Sequence, residues 1–524
     1  MEGFRGNRML PKRTESLCPE CLAIIPAEIY ESEGKVRIRK VCPQHGEFDD
    51  LYWGSSALYA KAEKYAYDAR KLENPNIDKG EPLCPKDCGL CSLHMGHTAL
   101  ANIVVTNRCD LACWYCFFYA QKAGFVFEPS LEQIRSMVRS LRAEKPVPCN
   151  AIQLTGGEPT LREDILDIIR ICKEEGIEHV QLNTDGIRLA TDPELAMKVR
   201  GAGVNTVYMS FDGLSEKTNP KNYREAPLAI ENCRRAGMGI VLVPTIIKSI
   251  NDEECGPILD YAVRNMDVIR GVNYQPVSLV GRMPRADRER FRITIPDVLQ
   301  RIETFTGGQV VPEDFFPVPA AIPFSNFVEA ITGRPEYQLA SHFACGMATY
   351  IFVDEARRLI PVTRFVDVEG LLEYLKKKAE ELREGRSKYI VGAQLLYKLG
   401  SFVDRERAPK GLSLARLVYN VLIKHDYGAL ADFHHRALFV GLMHFQDLYN
   451  YDIERVKHCC IHYVIPDGRI IPFCTFNVLP ELYRDPIHEK YGIPAEEWER
   501  RTGRRLADDY YRRPKDGNKA MASS

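Results

Sequence analysis

The chain has 524 residues, enough for roughly two to four separate cores, and its 70 basic and 71 acidic residues leave a net charge of −1. That balance gives no reason to expect a nucleic-acid partner. No run approaches the roughly 18 apolar residues of a spanning helix, and the basic start MEGFRGNRMLPKR lacks an apolar signal core, so a cytoplasmic protein is expected.

Seventeen cysteines are many for a reducing compartment, where tight cysteine groups read as metal ligands rather than disulfides. Residues 1–80 form a small module of polar loops and short β-prone runs such as Val36–Val41. It carries Cys18 and Cys21 at C-x2-C spacing, then Cys42 and His45. This is tetrahedral metal spacing; zinc is the simplest occupant, and a mononuclear iron of rubredoxin type suits the same soft ligands. Residues 81–99 hold Cys84, Cys88 and Cys91, with His94 and His97 close behind. They read as a site for an auxiliary [4Fe–4S] cluster.

From 100 to 284 strand and helix alternate. Strands are predicted over 102–106, 151–155, 179–184, 206–211, 240–245 and 271–276. The helix between the first two shows Leu131, Ile134, Met137, Val138 and Leu141 at helical spacing, opened by a capping box of Ser130 and Gln133. Six such units predict a parallel sheet, open or curved into a partial barrel, with ligands at the C-terminal ends of its strands. Just after the first strand stand Cys109, Cys113 and Cys116. Three thiolates at this spacing can hold three irons of a cube and leave the fourth open to a small molecule. Gly156-Gly157-Glu158-Pro159 follows the second strand, Asn183-Thr184-Asp185-Gly186 the third, and Ser210-Phe211-Asp212-Gly213 the fourth.

Residues 285–340 read as a Pro- and Phe-rich connector. Residues 341–490 read as a C-terminal α+β domain with a helical insert, and 491–524 as a tail. Within it 370–455 read as helices, Ala437–Met443 being the most apolar. Two segments, one after Cys345 and one after Cys460, read as β-hairpins, and Asp467-Gly468 is a turn signal in the second. Cys345, Cys459, Cys460 and Cys474 lie beside these hairpins. Cys172 and Cys233 fall in helical patterns and read as small buried hydrophobes.

The triad with Tyr115 before its third cysteine, the GGEP turn and the two later strand ends together resemble the radical S-adenosylmethionine (radical SAM) enzymes over roughly 100–280. The resemblance implies a partial (β/α)6 barrel. It implies that Cys109, Cys113 and Cys116 hold a [4Fe–4S] cluster whose open iron is chelated by SAM. Tyr115, Gly156, Gly157, Glu158, Asn183, Ser210 and Asp212 are then the residues near SAM, the turn meeting its amino group and the later strand ends its ribose and carboxylate. Glycines let the backbone approach a ligand, and a carboxylate pairs with an ammonium. One electron from the cluster would split SAM, and the 5′-deoxyadenosyl radical would take a hydrogen from an unactivated C–H.

The order of cysteine groups resembles the archaeal tetraether lipid synthases and the related enzymes described as methylases of a dihydropterin. This resemblance implies, first, coupling of the terminal methyl carbons of phytanyl chains. The substrate would be an archaeal diether phospholipid met at the membrane surface, with a ferredoxin or flavodoxin as electron donor and no nucleic-acid partner. It also implies one or two auxiliary [4Fe–4S] clusters, for which Cys84, Cys88, Cys91, Cys345, Cys459, Cys460 and Cys474 leave one ligand short of two cubes; one such cluster would hold a carbon–sulfur intermediate. An apolar tunnel would be needed, lined by Phe117, Phe118 and Tyr119 and by helices of 410–447. The alternatives are a radical SAM C-methylase of a dihydropterin or another small heterocycle, and a non-catalytic iron–sulfur electron carrier.

Overall fold

The computed structural model describes residues 10–68, 70–118, 123–281, 283, 285–409 and 436–514. Four antiparallel strands, β1 (Lys12–Leu17), β2 (Ile24–Ser32), β3 (Lys35–Cys42) and β4 (Gly46–Trp53), make a meander in that order. In β3, Val36, Ile38, Lys40 and Cys42 are buried while Lys35, Arg39 and Val41 are exposed, the alternation of a half-buried strand. Its inner face docks on the C-terminal part of the chain. Thr14 Oγ1 donates to Asp452 Oδ1 at 2.7 Å, Tyr52 to Asp452 Oδ2 at 2.8 Å, and Lys40 Nζ to Leu448 O at 2.6 Å.

The central sheet is built on β5 (Leu100–Thr106), β6 (Ala151–Gly156), β7 (His179–Thr184), β8 (Thr206–Ser210), β9 (Gly239–Val243) and β10 (Ile269–Pro276), parallel and adjacent in chain order. This is the expected set of six. Ile103, Ile152, Leu154, Val180, Leu182, Val207, Met209, Ile240, Leu242 and Val272 point one way and are fully buried. Their partners come from flanking helices such as α1 (Leu131–Arg142), which has the predicted capping box and buries Ile134, Met137, Val138 and Leu141. The other face looks into a lumen. At the strands' C-terminal ends the sheet curls until loops from its two sides meet: a Cβ on Gly281, after β10, would lie 2.6 Å from Phe117 Cα, after β5. Trp114 and Phe291 rings are 5.4 Å apart across the same seam.

The C-terminal part adds strands on both sides of these six. β11 (Gly346–Val353) turns back on β12 (Leu359–Pro361), and β14 (Ile461–Val464) on β15 (Ile470–Pro472); these are the two predicted hairpins. β14 runs parallel to β5. On the far side β13 (Ala437–Met443) lies between β10 and β11, parallel to the first and antiparallel to the second. This corrects the helical expectation for Ala437–Met443. A seven-residue apolar run has no period that separates a buried helix from a strand covered on both faces, and neighbours on each side decide it. No helix among the described residues is long and apolar enough to cross a membrane.

Because Leu438 of β13 is fully buried, Leu438→Ala is expected to cost about 2–5 kcal/mol. Denaturant unfolding of the wild-type and variant chains measures it; a loss near zero would mean that β13 is not part of the sheet.

Candidate active site and metal centres

Backbone contacts between strand ends shape the mouth of the barrel. Gly157 N donates to Thr106 O at 2.9 Å and Glu158 N to Arg108 O at 2.7 Å. A Cβ on Gly156, whose φ is +143°, would sit 2.0 Å from Thr106 O, and one on Gly157 would sit 2.0 Å from Arg108 O. Only glycine lets the turn after β6 lie against the loop after β5. Arg108 is the joint: its guanidinium donates to Glu128 Oε1 at 2.8 Å, to Leu161 O at 2.9 Å and to both oxygens of Asp509 at 2.8 and 3.0 Å, and it lies over the Trp498 ring.

The loop held this way carries Cys109, Cys113 and Cys116. Burial pushes the Cys113 thiol up to about 11 and raises the Cys109 thiol well above its ordinary value, with neighbouring carboxyls and Cys116 adding to both shifts. Such thiols stay protonated unless a metal replaces the proton. Opposite them lies a nest of acids. Ligand atoms of Cys109, Asp110 and Asp185 lie within 4.8 Å of one another. Burial raises Asp110 to about 6; burial, then the Asp110 charge, raises Asp185. Asp185 Oδ1 accepts from Ile187 N at 2.9 Å, while Oδ2 is buried without a hydrogen-bond donor. An acid pair with an unfilled acceptor fits a cationic ligand, and SAM carries an ammonium and a sulfonium.

Glu158 is turned inward. Its Oε1 accepts from Thr160 N at 2.9 Å and from the hydroxyls of Thr160 and Thr184 at 2.5 and 2.9 Å, and Oε2 accepts from Asp185 N at 2.9 Å. Burial, then Asp185, raises its carboxyl to about 8. Two of these four hydrogen bonds, from Thr184 and Asp185, tie the GGEP turn to the end of β7. Asn183 Nδ2 donates to Thr155 Oγ1 at 3.1 Å. Across the mouth, Tyr115 donates its hydroxyl hydrogen to Asp212 Oδ2, and Lys221 Nζ reaches Asp212 Oδ2 at 2.6 Å, Tyr115 Oη at 3.0 Å and the Ser210 hydroxyl. Thus Tyr115, Ser210 and Asp212 meet at one ammonium. Lys221 carried no sequence signal, since it sits in irregular chain between β8 and the next helix.

Sequence reasoning also missed the C-terminal strap. Besides Asp509, Tyr511 N donates to Asp110 O at 3.0 Å, and Arg513 binds Glu225 at 2.8 Å. Arg and Asp residues in a polar tail have the look of a solvated end, and only the fold brings them to the site.

The second and third cysteine groups meet in one apolar cluster. Cys88 and Cys474 lie in it, and Cys84, Cys116 and Cys459 pack against it with Phe117, Phe118, Tyr463 and Phe473. Phe117 and Phe118 are therefore core rings. Tyr119 and the segment 410–435, also expected to line a tunnel, lie outside the described residues. Arg455 Nε donates to Cys345 Sγ and Gln446 N to Cys474 Sγ, each at 3.5 Å. Cys460 is buried against Ser341, and burial pushes its thiol up to about 12. His94 and His97 bond main chain: His94 Nε2 lies 2.8 Å from Cys459 O, and His97 Nε2 accepts from Gln338 N at 3.0 Å. Cys84 and Cys91 stand on the loop beside Cys88, and burial raises Cys84 to about 12.

In the N-terminal meander Cys18, Cys21, Cys42 and His45 bring their ligand atoms within 4.8 Å of one another. Cys18 Sγ is 3.6 Å and Cys42 Sγ 3.5 Å from His45 Nδ1, and Cys21 Sγ is 3.9 Å from Cys42 Sγ. These are edges of a tetrahedron about one ion. Backbone N–H groups and His45 draw the Cys42 thiol down to about 6.

The radical SAM superfamily model matches residues 103–262, and the HMPTM N-terminal zinc ribbon domain matches residues 10–54. The chain is 46% identical over 501 residues to the 7,8-dihydro-6-hydroxymethylpterin dimethyltransferase of Methanocaldococcus jannaschii, covering 94% of this chain and 97% of that protein. It is 29% identical over 190 residues to a GTP 3′,8-cyclase of Marinobacter nauticus, covering 35% of this chain and 56% of the cyclase. The crystal structure of a methylornithine synthase aligns with a TM-score of 0.31 and 15% identity, covering 41% of this chain and 64% of that one. The nearly full-length match to a pterin enzyme overturns the expected phytanyl-chain coupling. The diether lipid and the membrane surface fall with it.

Two outcomes follow from these contacts. Asp509→Ala leaves buried Arg108 short of a partner and is expected to lower stability by about 3–5 kcal/mol, read from denaturant unfolding; an unchanged curve would show the strap to be a surface tail. Cys42→Ser is expected to lose one equivalent of zinc by elemental analysis while iron is retained, and equal zinc in both chains would contradict the tetrahedral site.

Proposed function

We propose that this chain, which belongs to the family of the Methanocaldococcus jannaschii 7,8-dihydro-6-hydroxymethylpterin dimethyltransferase within the radical SAM superfamily, is a methyltransferase that adds methyl groups to carbon atoms of a dihydropterin. The observation that carries this reading is the 46% identity maintained over 94% of the chain. The lumen agrees with it: Asn102, Gln153, Thr155, Asn183, Tyr208 and Ser210 stand on strands whose alternate residues fill the helix-side core. A polar heterocycle finds hydrogen-bond partners on such a wall, whereas an alkyl chain would leave buried amides unpaired.

In this reading Cys109, Cys113 and Cys116 hold the cluster, and the donor set fits: three soft ligands on one loop beside acids that accept a cation. When bound, a [4Fe–4S] cluster with SAM supplies one-electron cleavage and a hydrogen-abstracting radical. The protein's part is placement. Gly156 and Gly157 bring main-chain carbonyls to the ligand, with Glu158 bracing the turn. Asp110 and Asp185 take the positive end. Lys221, held by Asp212 and Tyr115, offers an ammonium to the SAM carboxylate, and Asn183 and Ser210 offer hydrogen bonds to its hydroxyls. Cys84, Cys88, Cys91, Cys345, Cys459, Cys460 and Cys474 would hold further iron–sulfur groups for electron storage; Cys84, Cys88, Cys459 and Cys474 share an apolar cluster with Cys116 of the triad.

Anaerobically reconstituted chain, incubated with dithionite, 7,8-dihydro-6-hydroxymethylpterin and SAM in excess, one molecule being cleaved for the radical and another giving its methyl group and leaving as S-adenosylhomocysteine, is expected to yield 5′-deoxyadenosine, S-adenosylhomocysteine and pterins heavier by one or more methylene units, read by mass spectrometry. Cys113→Ala is expected to abolish 5′-deoxyadenosine and the heavier pterins. Formation of 5′-deoxyadenosine with the pterin left unchanged would remove the substrate from this account.

A further inference from the structure

The face of the sheet opposite the helices is not uniform. Strand register traces two rows across it. One runs Asn102, Gln153, Gln181, Thr206. The other, one pleat nearer the SAM residues, runs Asn183, Tyr208, Val241, Gly271, Phe439. The near side of the lumen is thus a wall of amides and the far side is aromatic.

The amides are paired unequally. Gln153 Nε2 donates to Asn102 Oδ1 at 3.0 Å, Asn102 Nδ2 to His462 O at 3.3 Å, and Asn183 Nδ2 to Thr155 Oγ1 at 3.1 Å. Gln181 lies beside the Tyr208 hydroxyl. It is 9% exposed, and its Oε1 is buried with no donor. Among the described residues it is the lumen amide with such an oxygen. A buried acceptor left unpaired is costly unless something brings it an N–H.

On the far wall the glycines clear a site for one ring. A Cβ on Gly441 would lie 2.7 Å from the Phe439 ring, and one on Gly271 would lie 3.2 Å from Phe439 Cβ. Phe439 therefore lies over its neighbours instead of standing off the sheet. Tyr350, opposite it on β11, packs edge-on with ring centroids 5.6 Å apart. An aromatic surface and an unpaired acceptor on the same face of the sheet suit a flat ring with a donor on its edge.

We infer that the lumen is the recognition pocket for the heterocycle, with Gln181 Oε1 accepting from the amino-lactam edge of the ring and Phe439 with Tyr350 packing against its face. The inference rests on the proposed pterin reading and adds the residues that choose the ring. Gln181 is a specificity residue: a carbonyl placed where the amino group belongs would face an acceptor, and a site built for a donor rejects that analogue strongly.

The test titrates the full, reconstituted, SAM-loaded chain with 7,8-dihydro-6-hydroxymethylpterin and with its lumazine counterpart, in which a carbonyl replaces the 2-amino group. Wild type is expected to prefer the pterin by at least about tenfold. Gln181→Met, which keeps the shape but removes the acceptor, is expected to erase the preference, and Gln181→Glu, which keeps an acceptor, to retain it. Phe439→Leu is expected to weaken both ligands alike. Zinc content and melting temperature identify any variant that has not folded. If wild type binds the pterin but Gln181→Met keeps the full preference, the pocket assignment is overturned while the function stands. If wild type binds neither ring, the functional reading fails and this inference with it.

Discussion

The structure depends on a backbone joint. The carbonyl of Arg108 accepts the N–H of Glu158, and no Cβ fits between the turn after β6 and the loop after β5. That contact sets where the three cysteines of the loop stand relative to the ends of the next strands. Buried charge makes the joint stiff. Arg108 is 3% exposed and has Glu128, Asp509 and Leu161 O as partners. A buried ion pair of this kind adds little net stability against an apolar substitute, but it is expensive to break on one side. It therefore fixes position more than it contributes energy, which suits a loop whose ligands must meet a cluster and a cofactor at defined angles.

A second constraint is that the chain returns to its beginning. β13 and β14 flank the six parallel strands on opposite sides, and the residues between them carry Cys459 and Cys460 and contact the N-terminal meander through Asp452 and Leu448. Cys84, Cys88, Cys116, Cys459 and Cys474 thereby pack on a single apolar cluster. Burial raises the thiols of Cys84, Cys88, Cys459 and Cys474 and keeps them protonated until metal binds. The same surroundings that disfavour a free thiolate exclude water from reactive chemistry. The carbonyl oxygen of Cys459 braces both His94 and His462 through their Nε2 atoms.

Much of this was legible in the residues because local patterns and the final fold agree. The capping box at Ser130 and Gln133, the six strands and the two hairpins all follow from short-range chemistry, and the structure contains them. The N-terminal tetrahedron was legible for the same reason: its ligands sit in two short turns. What was not legible depends on distant partners. Ala437–Met443 became a strand because β10 and β11 flank it. Lys221, Asp509 and Gln181 lie in an irregular segment, a polar tail and a strand position that alternation alone marks as ordinary. Each acquires its role from a neighbour more than twenty residues away in sequence: Tyr115, Arg108 and Gln153 respectively. The choice between lipid and pterin also lay beyond motif reading, since both resemblances share the same cysteine order. The substitution of an apolar tunnel by a wall of amides is a property of the lumen face.

In the proposed function a dihydropterin lies in the lumen beside the cluster that Cys109, Cys113 and Cys116 would hold. Electron–nuclear double resonance on the reduced, SAM-loaded chain with 13C- and 15N-labelled 7,8-dihydro-6-hydroxymethylpterin measures this directly. The prediction is a resolved dipolar coupling between the cluster spin and the ring nuclei, reduced in amplitude in Gln181→Met at a pterin concentration that half-saturates the wild type. A bound pterin whose nuclei show no coupling to that cluster would contradict the account.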